Sequence, residues 1–344
     1  LAKKEFYDIH LQDYAWLGIK PAKIIYVSDH LKEMYKAAEK LIAQNEIYIC
    51  ECSQEIIKQK RLEGEPCEHR EHSMEENKKL WKTMLTKPKA GMIARLKGDL
   101  TDHNTAFRDP TLFRVIKEKH PRTGSQYHVW PTYDFENAMM DGFMGITHRL
   151  RSKEFELRNK VQQHIQQLLG YTPTKIVEFA RFNMEGVESS GRIIREKIEK
   201  GELLGWDDPS LTTLQALRRR GFTPEAIKEF VLSTGISKAG GVLSWDDLYA
   251  KNRSVLDPIT KRYFFVANPK KVTIKNAKPQ KAHLPCHPQK EMGSREMNTD
   301  NEFYVEDRVE KGMFRFMHLY NFKDLAYHSD PYDPKLQAKL VHWL

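Results

Sequence analysis

Several features that mark membrane, secreted or repetitive proteins are missing from this sequence. No run of about 18 apolar residues occurs, which excludes a membrane-spanning helix. The first residues contain no apolar signal region, so secretion is not indicated. Only four cysteines occur in 344 residues, which excludes a disulfide-stabilised scaffold. No internal repeat or low-complexity segment is found, and these absences favour a cytoplasmic globular protein with no membrane partner.

The chain is rich in charge and has enough apolar residues to form a core. Hydrophobic residues make up 40% of the sequence, and 56 Lys and Arg against 47 Asp and Glu give a formal net charge of +9. At roughly 150 residues per domain, the length predicts two or three domains. A basic excess suggests a polyanionic partner such as nucleic acid, although many basic proteins bind none.

Both ends have the pattern of a chain that continues further. The sequence opens without Met on a charged segment predicted as the middle of a helix, and residues 339–344 are predicted to begin a strand. We therefore expect ordered or expressed sequence to be missing at each end.

Apolar periodicity predicts an α/β arrangement up to about residue 170 and helices between 186 and 255. Residues 24–27 predict a buried strand, followed by an amphipathic helix that Ser28 or Asp29 caps. Residues 120–124 predict a turn. Asp207 or Asp208 is predicted to cap a helix that Pro209 opens, and Thr223 one that Pro224 opens. Further strands are predicted at 92–96, 112–116, 263–266, 272–274, 303–305 and 313–316, and those beyond 256 indicate a barrel or sandwich.

Two closely spaced pairs of metal-binding side chains suggest a zinc site. Cys50 and Cys52 form the first pair, Cys67 and His69 the second, and His72 is a rival fourth ligand. Zinc prefers four thiolate or imidazole ligands in a tetrahedron, and one loop holding each pair reaches that geometry. The alternative is that both cysteines of the first pair are simply buried on one face of a strand.

Basic residues in the second half of the chain suggest contacts with RNA phosphates. Residues 261–281 contain seven Lys and Arg and no acidic residue, with Tyr263–Phe265 alongside. The alternative is that the aromatic residues form core and the lysines a solvated face. Arg218–Arg220, at a predicted helix end, either bind phosphate or compensate the helix dipole. The candidate lysine contacts are Lys270, Lys271 and Lys275.

Taken together, motifs along nearly the whole chain resemble the class I glutamyl/glutaminyl-tRNA synthetases. The order and approximate spacing of these motifs carry the resemblance more strongly than any one motif. They are Trp130–Phe135, Gly145–His148, Glu178–Asn183, Gly205–Pro209, Leu217–Gly221, His287–Pro288 and Met292–Arg295.

The resemblance implies an α/β plus all-β architecture and an aminoacylation reaction. A split Rossmann domain would carry an inserted acceptor-binding domain, followed by a helical stem-contact region and an anticodon-binding β-barrel. The enzyme would use ATP with Mg to activate an amino acid, release pyrophosphate and transfer the aminoacyl group to tRNA. The implied segments are 1–45 and 126–185 for the Rossmann halves, 46–125 for the insertion, 186–255 for the helical region and 256–344 for the barrel.

Within the family, Arg151 favours glutamate as the substrate. The glutamine branch typically has Cys at this position, and a guanidinium pairs bidentately with a γ-carboxylate but gains little from an amide. Tyr133 matches the family tyrosine that hydrogen-bonds the amino acid, and the sequence resembles archaeal glutamyl enzymes. The implied tRNA is that for glutamate, with the glutamine tRNA as a second candidate. The alternatives are a structural salt bridge at Arg151 or a glutaminyl enzyme.

Two departures from the family pattern concern the ATP site. The His-Ile-Gly-His motif is absent and is expected before Leu1. The Lys-Met-Ser-Lys-Ser loop is degenerate: Ser189 and Ser190 match Met-Ser, and Gly191 replaces the second Lys. Either Arg192 takes over the charge of that Lys beside Ser190, or activation is weak and the chain is a tRNA-binding module. The remaining implied ATP-binding residues are Ser152, Arg181 and Phe182.

Overall fold

The chain divides near residue 247 into two units, Leu1–Asp247 and Leu248–Leu344. A computed structural model describes residues 4–263, 265–306, 313–323 and 326–327. The final strand predicted at 339–344 lies outside these residues. None of the described helices has the length and apolar character needed to cross a membrane.

Helices and strands alternate through the first unit, and strands predominate in the second. The α-helices are α1 Glu5–Trp16, α2 Leu31–Ala43, α3 Gln54–Glu63, α4 Met74–Thr86, α5 Tyr133–Met144, α6 Glu156–Leu169, α7 Gly191–Glu199, α8 Leu214–Arg219, α9 Pro224–Ser233 and α10 Trp245–Leu256. The strands are β1 Ile47–Cys50, β2 Ile93–Leu96, β3 Thr111–Val115, β4 Val129–Pro131, β5 His148–Ser152, β6 Lys175–Phe179, β7 Phe182–Met184, β8 Gly241–Leu243, β9 Lys270–Thr273, β10 Gln280–Pro285, β11 Ser294–Thr299, β12 Glu302–Val305, β13 Met313–Phe316, β14 Tyr320–Lys323 and β15 Ala326–Tyr327.

The amphipathic helix predicted after residue 28 is confirmed as α2. Its apolar face is buried in the core of the first unit, with Leu31, Met34 and Ala38 fully buried. Tyr35 on the same face donates its hydroxyl to the Val129 carbonyl at 2.6 Å, which ties α2 to β4. Burial of this stripe of side chains stabilises the helix more than its intrinsic propensity does.

The strand predicted at 24–27 is wrong. Residues 24–26 form no regular element, and Val27–His30 is a 3-10 helix, so neither Ser28 nor Asp29 caps α2. The physical reason lies in Arg122, whose guanidinium covers the Tyr26 ring at 3.7 Å and pairs with Asp29 at 2.8 Å. These contacts hold the segment as a loop beside the core.

An antiparallel sheet in the order β1-β2-β3-β4 forms the centre of the segment 46–131. The strands predicted at 92–96 and 112–116 are confirmed as β2 and β3. The predicted turn is confirmed by paired backbone hydrogen bonds between His120 and Gly124. All four residues of β1 are buried, so the strand delivers Cys50 to the protein interior.

Two parallel pairs follow, β5 with β6 and β7 with β8. The connection from β5 to β6 runs through α6, which packs on α5. Because this is a strand-helix-strand unit, the carboxyl ends of β5 and β6 lie at one edge, where binding side chains usually collect in α/β folds.

The helices predicted between residues 186 and 255 are confirmed, with two differences. Strand β8 also lies in this region, and the helix start predicted at Pro209 is wrong. Thr223 caps α9, accepting from the Ala226 N–H at 3.2 Å. No helix begins at Pro209; Asp208 instead accepts from the Leu204 and Ser210 N–H groups, forming a turn. Thr213 caps the helix that does follow, α8.

The described part of the second unit contains a three-stranded sheet in the order β12-β9-β15 and two hairpins, β10-β11 and β13-β14. Phe303, Val272 and Phe322 lie in its core. The strand predicted at 263–266 is wrong for the described residues 263, 265 and 266, because the Tyr263 ring instead packs beneath the Arg295 guanidinium at 4.7 Å. Phe264 lies outside the described residues. No closed sheet occurs among the residues that the structure describes.

Candidate active site and metal centre

Strand β5 presents two arginines on one face, because Arg149 and Arg151 are two residues apart. Arg149 has a structural role, because its guanidinium forms an ion pair with Asp141 and donates to the Asn137 carbonyl at 3.0 Å. Arg151 differs, because among the described residues it forms no ion pair. Burial lowers the pKa of Arg151 and the positive charge of Arg149 lowers it further, so an anion bound there would relieve an unfavourable charge.

Neutral side chains of α6 surround the Arg151 guanidinium. Its Nη1 donates to Gln162 Oε1 at 2.8 Å and to Asn159 Oδ1 at 3.1 Å. The guanidinium also lies over the Phe155 ring, 5.0 Å from its centroid. The sequence analysis missed both amides, and the available signal was their spacing on a helix directly after β5.

Tyr133 is the first residue of α5 and is 79% exposed. A large aromatic side chain with that exposure is available to a ligand. Its carbonyl accepts from the Asn137 side-chain amide at 2.8 Å, which fixes the backbone without engaging the phenol.

A cleft of about 870 Å³ contains most of the residues predicted to bind ATP. It is lined by Ser189, Ser190, Gly191 and Arg181. The Arg181 Nη2 donates to Ser189 Oγ at 3.0 Å. This bond links the loop that contains Ser189 and Ser190, the serine loop, to the start of β7. Gly240–Val242, at the start of the strand paired with β7, also line the cleft.

Two features of this cleft were not predicted. Lys153 lines it and donates to the Lys238 carbonyl at 2.7 Å; its position directly after β5 was the signal. A Cβ on Gly240 would lie 2.9 Å from the Arg181 carbonyl oxygen, so only glycine permits this approach.

Three predicted ATP-site residues lie outside the cleft lining. Ser152 is the last residue of β5, and its buried hydroxyl has no hydrogen-bond partner among the described residues. Because buried polar groups are normally hydrogen-bonded, this hydroxyl is available to a ligand. Phe182 begins β7 and is half-buried. Arg192 is 84% exposed, and its Nε lies 3.7 Å from Glu196 Oε1.

The four predicted metal ligands converge in the first unit. The Cys50, Cys52 and Cys67 sulfurs and a His69 ring nitrogen all lie within 4.8 Å of one another. The Cys50 and Cys67 sulfurs are 3.9 Å apart, and Cys52 Sγ lies 3.2 Å from His69 Nδ1. His72, the rival ligand, stays outside this group, although its ring packs on His69.

The surroundings of this cluster favour thiolate at Cys67 but the neutral thiol at Cys50 and Cys52. The hydrogen bond with the Cys50 thiol lowers the pKa of Cys67 to about 4, although burial opposes the shift. The same hydrogen bond, together with burial, raises the pKa of Cys50. Arg95, itself fully buried, directs its Nη1 at Cys67 Sγ from 3.6 Å and supplies a compensating positive charge.

The arginines predicted to contact RNA have partners within the chain. Arg218 lies over the Trp16 ring at 5.9 Å, Arg219 pairs with Asp207 at 3.1 Å, and Arg220 lies over the Trp245 ring at 4.2 Å. Arg220 is half-buried, whereas the other two are exposed.

The three lysines predicted to contact RNA differ in their surroundings. Lys270 donates to the Glu306 carbonyl and Lys271 pairs with Glu302 at 2.9 Å. Lys275 is exposed in the turn after β9.

A second cleft, of about 1290 Å³, borders the metal-ligand cluster. Cys52 belongs to its wall. The cations along it outnumber the acidic residues, which is the balance expected for a surface that receives a phosphate backbone. Its charged lining residues are Lys58, Arg61, Arg114, Lys117 and Glu118.

Two family models and several curated proteins match this chain. Residues 2–258 match the family described as tRNA synthetases class I (E and Q), catalytic domain, and residues 260–336 match its anti-codon binding domain. The glutamate–tRNA ligase of Pyrococcus abyssi is 39% identical over 98% of this chain and 63% of its own length. That of Methanocaldococcus jannaschii is 36% identical over 99% of this chain and 64% of its own length.

A solved structure shares the fold. The glutamate tRNA ligase from Elizabethkingia meningosepticum, in complex with its amino acid, aligns with a TM-score of 0.51 at 17% identity. The alignment covers 75% of this chain and 61% of that chain. Compared with the two curated relatives, this chain spans a little under two thirds of their length.

Proposed function

This chain belongs to the family of class I tRNA synthetases for glutamate and glutamine, and on that premise we propose that the protein attaches glutamate to tRNA at the expense of ATP. The α-carboxylate of glutamate attacks the α-phosphate of ATP, pyrophosphate leaves, and a glutamyl-adenylate forms. A terminal hydroxyl of the tRNA then attacks the activated carbonyl, and AMP leaves. The curated relatives named above are glutamate–tRNA ligases.

The observation that carries the choice of glutamate is the set of hydrogen-bond partners around Arg151. Its guanidinium is half-buried, with neutral amides and no carboxylate as partners among the described residues. A γ-carboxylate would supply the missing counter-charge in a bidentate geometry, whereas the amide of glutamine would leave the charge uncompensated. Tyr133, exposed at the start of α5, would hydrogen-bond the same substrate.

ATP would lie in the cleft formed by the serine loop and Gly240–Val242. Ser190 and Arg192 are the proposed catalytic residues of that loop. Charge builds on the phosphates as pyrophosphate leaves, and a nearby cation lowers the barrier. The proposed nucleotide-binding residues are Ser152, Arg181, Phe182, Ser189 and Gly191. Magnesium, held by the nucleotide phosphates, would neutralise part of their charge.

The glutamate tRNA is the proposed nucleic-acid substrate, and the cytoplasm the proposed compartment. The cationic cleft beside the cysteine cluster suits an acceptor end, since its lining contains four cations and one acidic residue. The strands of the second unit would belong to the anticodon-binding barrel. Further proposed tRNA contacts are Arg218, Arg219, Arg220, Lys270, Lys271 and Lys275.

A structural zinc ion fits the cysteine cluster. With zinc–sulfur bonds of about 2.3 Å, the sulfurs of a tetrahedral site lie about 3.8 Å apart, close to the 3.9 Å between Cys50 and Cys67. Cys50, Cys52, Cys67 and His69 would hold the metal. Because four protein ligands leave no open position, zinc would tie two loops together and take no part in catalysis.

The test is ATP–pyrophosphate exchange by the full-length protein in the presence of tRNA. We expect exchange with glutamate and little with glutamine, followed by charging of the glutamate tRNA. Preference for glutamine would overturn the assignment within the family.

A second function is favoured by one observation: Arg192 pairs with Glu196 on its own helix and is not among the residues that line the cleft. With Gly191 in place of a lysine, the loop lacks a cation directed at ATP. Tight tRNA binding without exchange for either amino acid would identify a tRNA-binding module instead.

A further inference from the structure

The acceptors of Arg151 are amides that are themselves held in one orientation. Gln162 is 2% exposed and directs its Nε2 towards Asp134 Oδ1, at 3.4 Å. Asn159 donates its Nδ2 to Glu178 Oε1 at 2.5 Å. An amide has one donor end and one acceptor end. Since each NH2 group faces a carboxylate, each carbonyl oxygen must face Arg151.

The two carboxylates behind these amides are already neutralised. Asp134 pairs with Arg158 at 2.8 Å, and Glu178 forms an ion pair with Lys238. Both act on the charge of Arg151 from a distance, but neither forms an ion pair with it, because an amide lies between each carboxylate and the guanidinium. The guanidinium is oriented by two hydrogen bonds to neutral acceptors and has no carboxylate in direct contact among the described residues.

The neighbouring arginine on β5 shows the contrast. Arg149 also donates to Gln162, but it has Asp141 as a direct ionic partner. Of the two guanidiniums on this face of the strand, that of Arg151 has no direct ionic partner among the described residues and so has room for one from another molecule. The difference depends on which partners are amides and which are carboxylates.

We propose that Gln162 and Asn159 are positioning residues, which orient Arg151 for the side-chain carboxylate of glutamate without neutralising it. This inference rests on the proposed function. A neutral acceptor fixes the direction of a guanidinium through hydrogen bonds. A carboxylate in the same place would form an ion pair with it and compete with the substrate.

The experiment replaces each amide by its isosteric carboxylate, Gln162→Glu and Asn159→Asp, in the full-length protein. Each should raise the KM for glutamate by about tenfold or more, because an internal carboxylate now occupies Arg151. The KM for ATP should stay within about twofold, since the change lies at the amino-acid site. ATP–pyrophosphate exchange with tRNA measures both constants.

Gln166→Glu is the matched control. Gln166 lies one turn further along α6 and is equally buried, but its amide contacts Thr174 and the Ala138 carbonyl and, in the described part of the chain, no arginine. The same substitution there should lower the melting temperature and leave the glutamate KM unchanged. An equal rise in KM in this control would reduce the effect to lost packing and overturn the proposal.

Arg151→Cys separates failure of this inference from failure of the proposed function. If it raises the glutamate KM while Gln162→Glu and Asn159→Asp leave it within about twofold, the positioning role is wrong and the function stands. If all three variants keep the normal KM, the glutamate site itself is misassigned and both proposals fall. Asn159 is half-exposed, so Asn159→Asp decides the matter if Gln162→Glu does not fold.

Discussion

The Nε atom of Arg192 lies 3.7 Å from a carboxylate oxygen of Glu196, one turn further along helix α7. This pair would give Arg192 a structural role on the helix, and its role at ATP stays a prediction. Exposed pairs at this spacing contribute about 0–1 kcal/mol, so the guanidinium can exchange Glu196 for a phosphate at little cost.

We predict that Arg192→Ala slows adenylate formation by about 10²–10³-fold, the effect of removing one transition-state donor. Single-turnover measurement of adenylate formation tests this, with tRNA affinity expected to change little. Glu196→Ala is the control, because it removes the ion pair and keeps the guanidinium. A normal activation rate in Arg192→Ala would assign the arginine to helix stability alone and favour the tRNA-binding module.

Arg151→Cys should impair the use of glutamate much more than tRNA binding. Without the guanidinium, the γ-carboxylate is desolvated and unpaired, at a cost of ~2–4 kcal/mol. The measurements are the glutamate KM and the tRNA Kd. Glutamate kinetics within about twofold of the unmodified protein would make Arg151 a structural residue.

Freshly purified protein should contain about one zinc per chain, as expected for a four-ligand site. Cys67→Ser should lose the metal and lower the melting temperature, because strand β1 with Cys50 and the segment with His69 are no longer joined. Cys286→Ser is the control, since that buried cysteine lies outside the cluster. Metal analysis that finds no zinc in the unmodified protein would leave four free thiols and no site.

Glu136 should make the stability of the first unit depend on pH. Burial raises the pKa of its carboxyl from 4.5 to about 7; nearby Arg149 opposes this shift and Asp141 adds to it. Because the folded state binds this proton more tightly, the contribution is present below pH 4.5 and is lost as the pH rises to about 7. The slope is at most about 1.4 kcal/mol per pH unit for one group.

Glu136→Gln should therefore stabilise the protein relative to the original at pH 7.5 and change it little at pH 4.5. Thermal unfolding of both proteins across this range measures the difference. Parallel melting profiles would show that the carboxyl titrates normally.

Lys275→Ala should weaken tRNA binding and lower the slope of log K against log salt by about 1, the effect of losing one phosphate contact. Lys275 is exposed, so its removal should not affect folding. Binding measured at several salt concentrations checks this. A slope equal to that of the unmodified protein would place Lys275 outside the tRNA interface.

Sequence reasoning succeeded where a few neighbouring residues decide the structure. Thr223 with Pro224 predicts a helix start because capping is a contact within one turn. The paired spacing of Cys50 with Cys52 predicts a cluster because short loops restrict where the sulfurs can lie. It failed at residues 24–27, where a distant residue, Arg122, binds the segment as a loop.

The sequence by itself determined the family, the amphipathic helices and the four side chains that form the metal-ligand cluster. All of these depend on residue type, order and local spacing. Only the tertiary structure decided that Arg149 has a carboxylate partner and that Arg151 has amides. The two residues have the same chemistry and lie on the same face of β5, so no local rule separates them. What separates them is the packing of α5 and α6, which brings Asp141 to one guanidinium and Asn159 to the other.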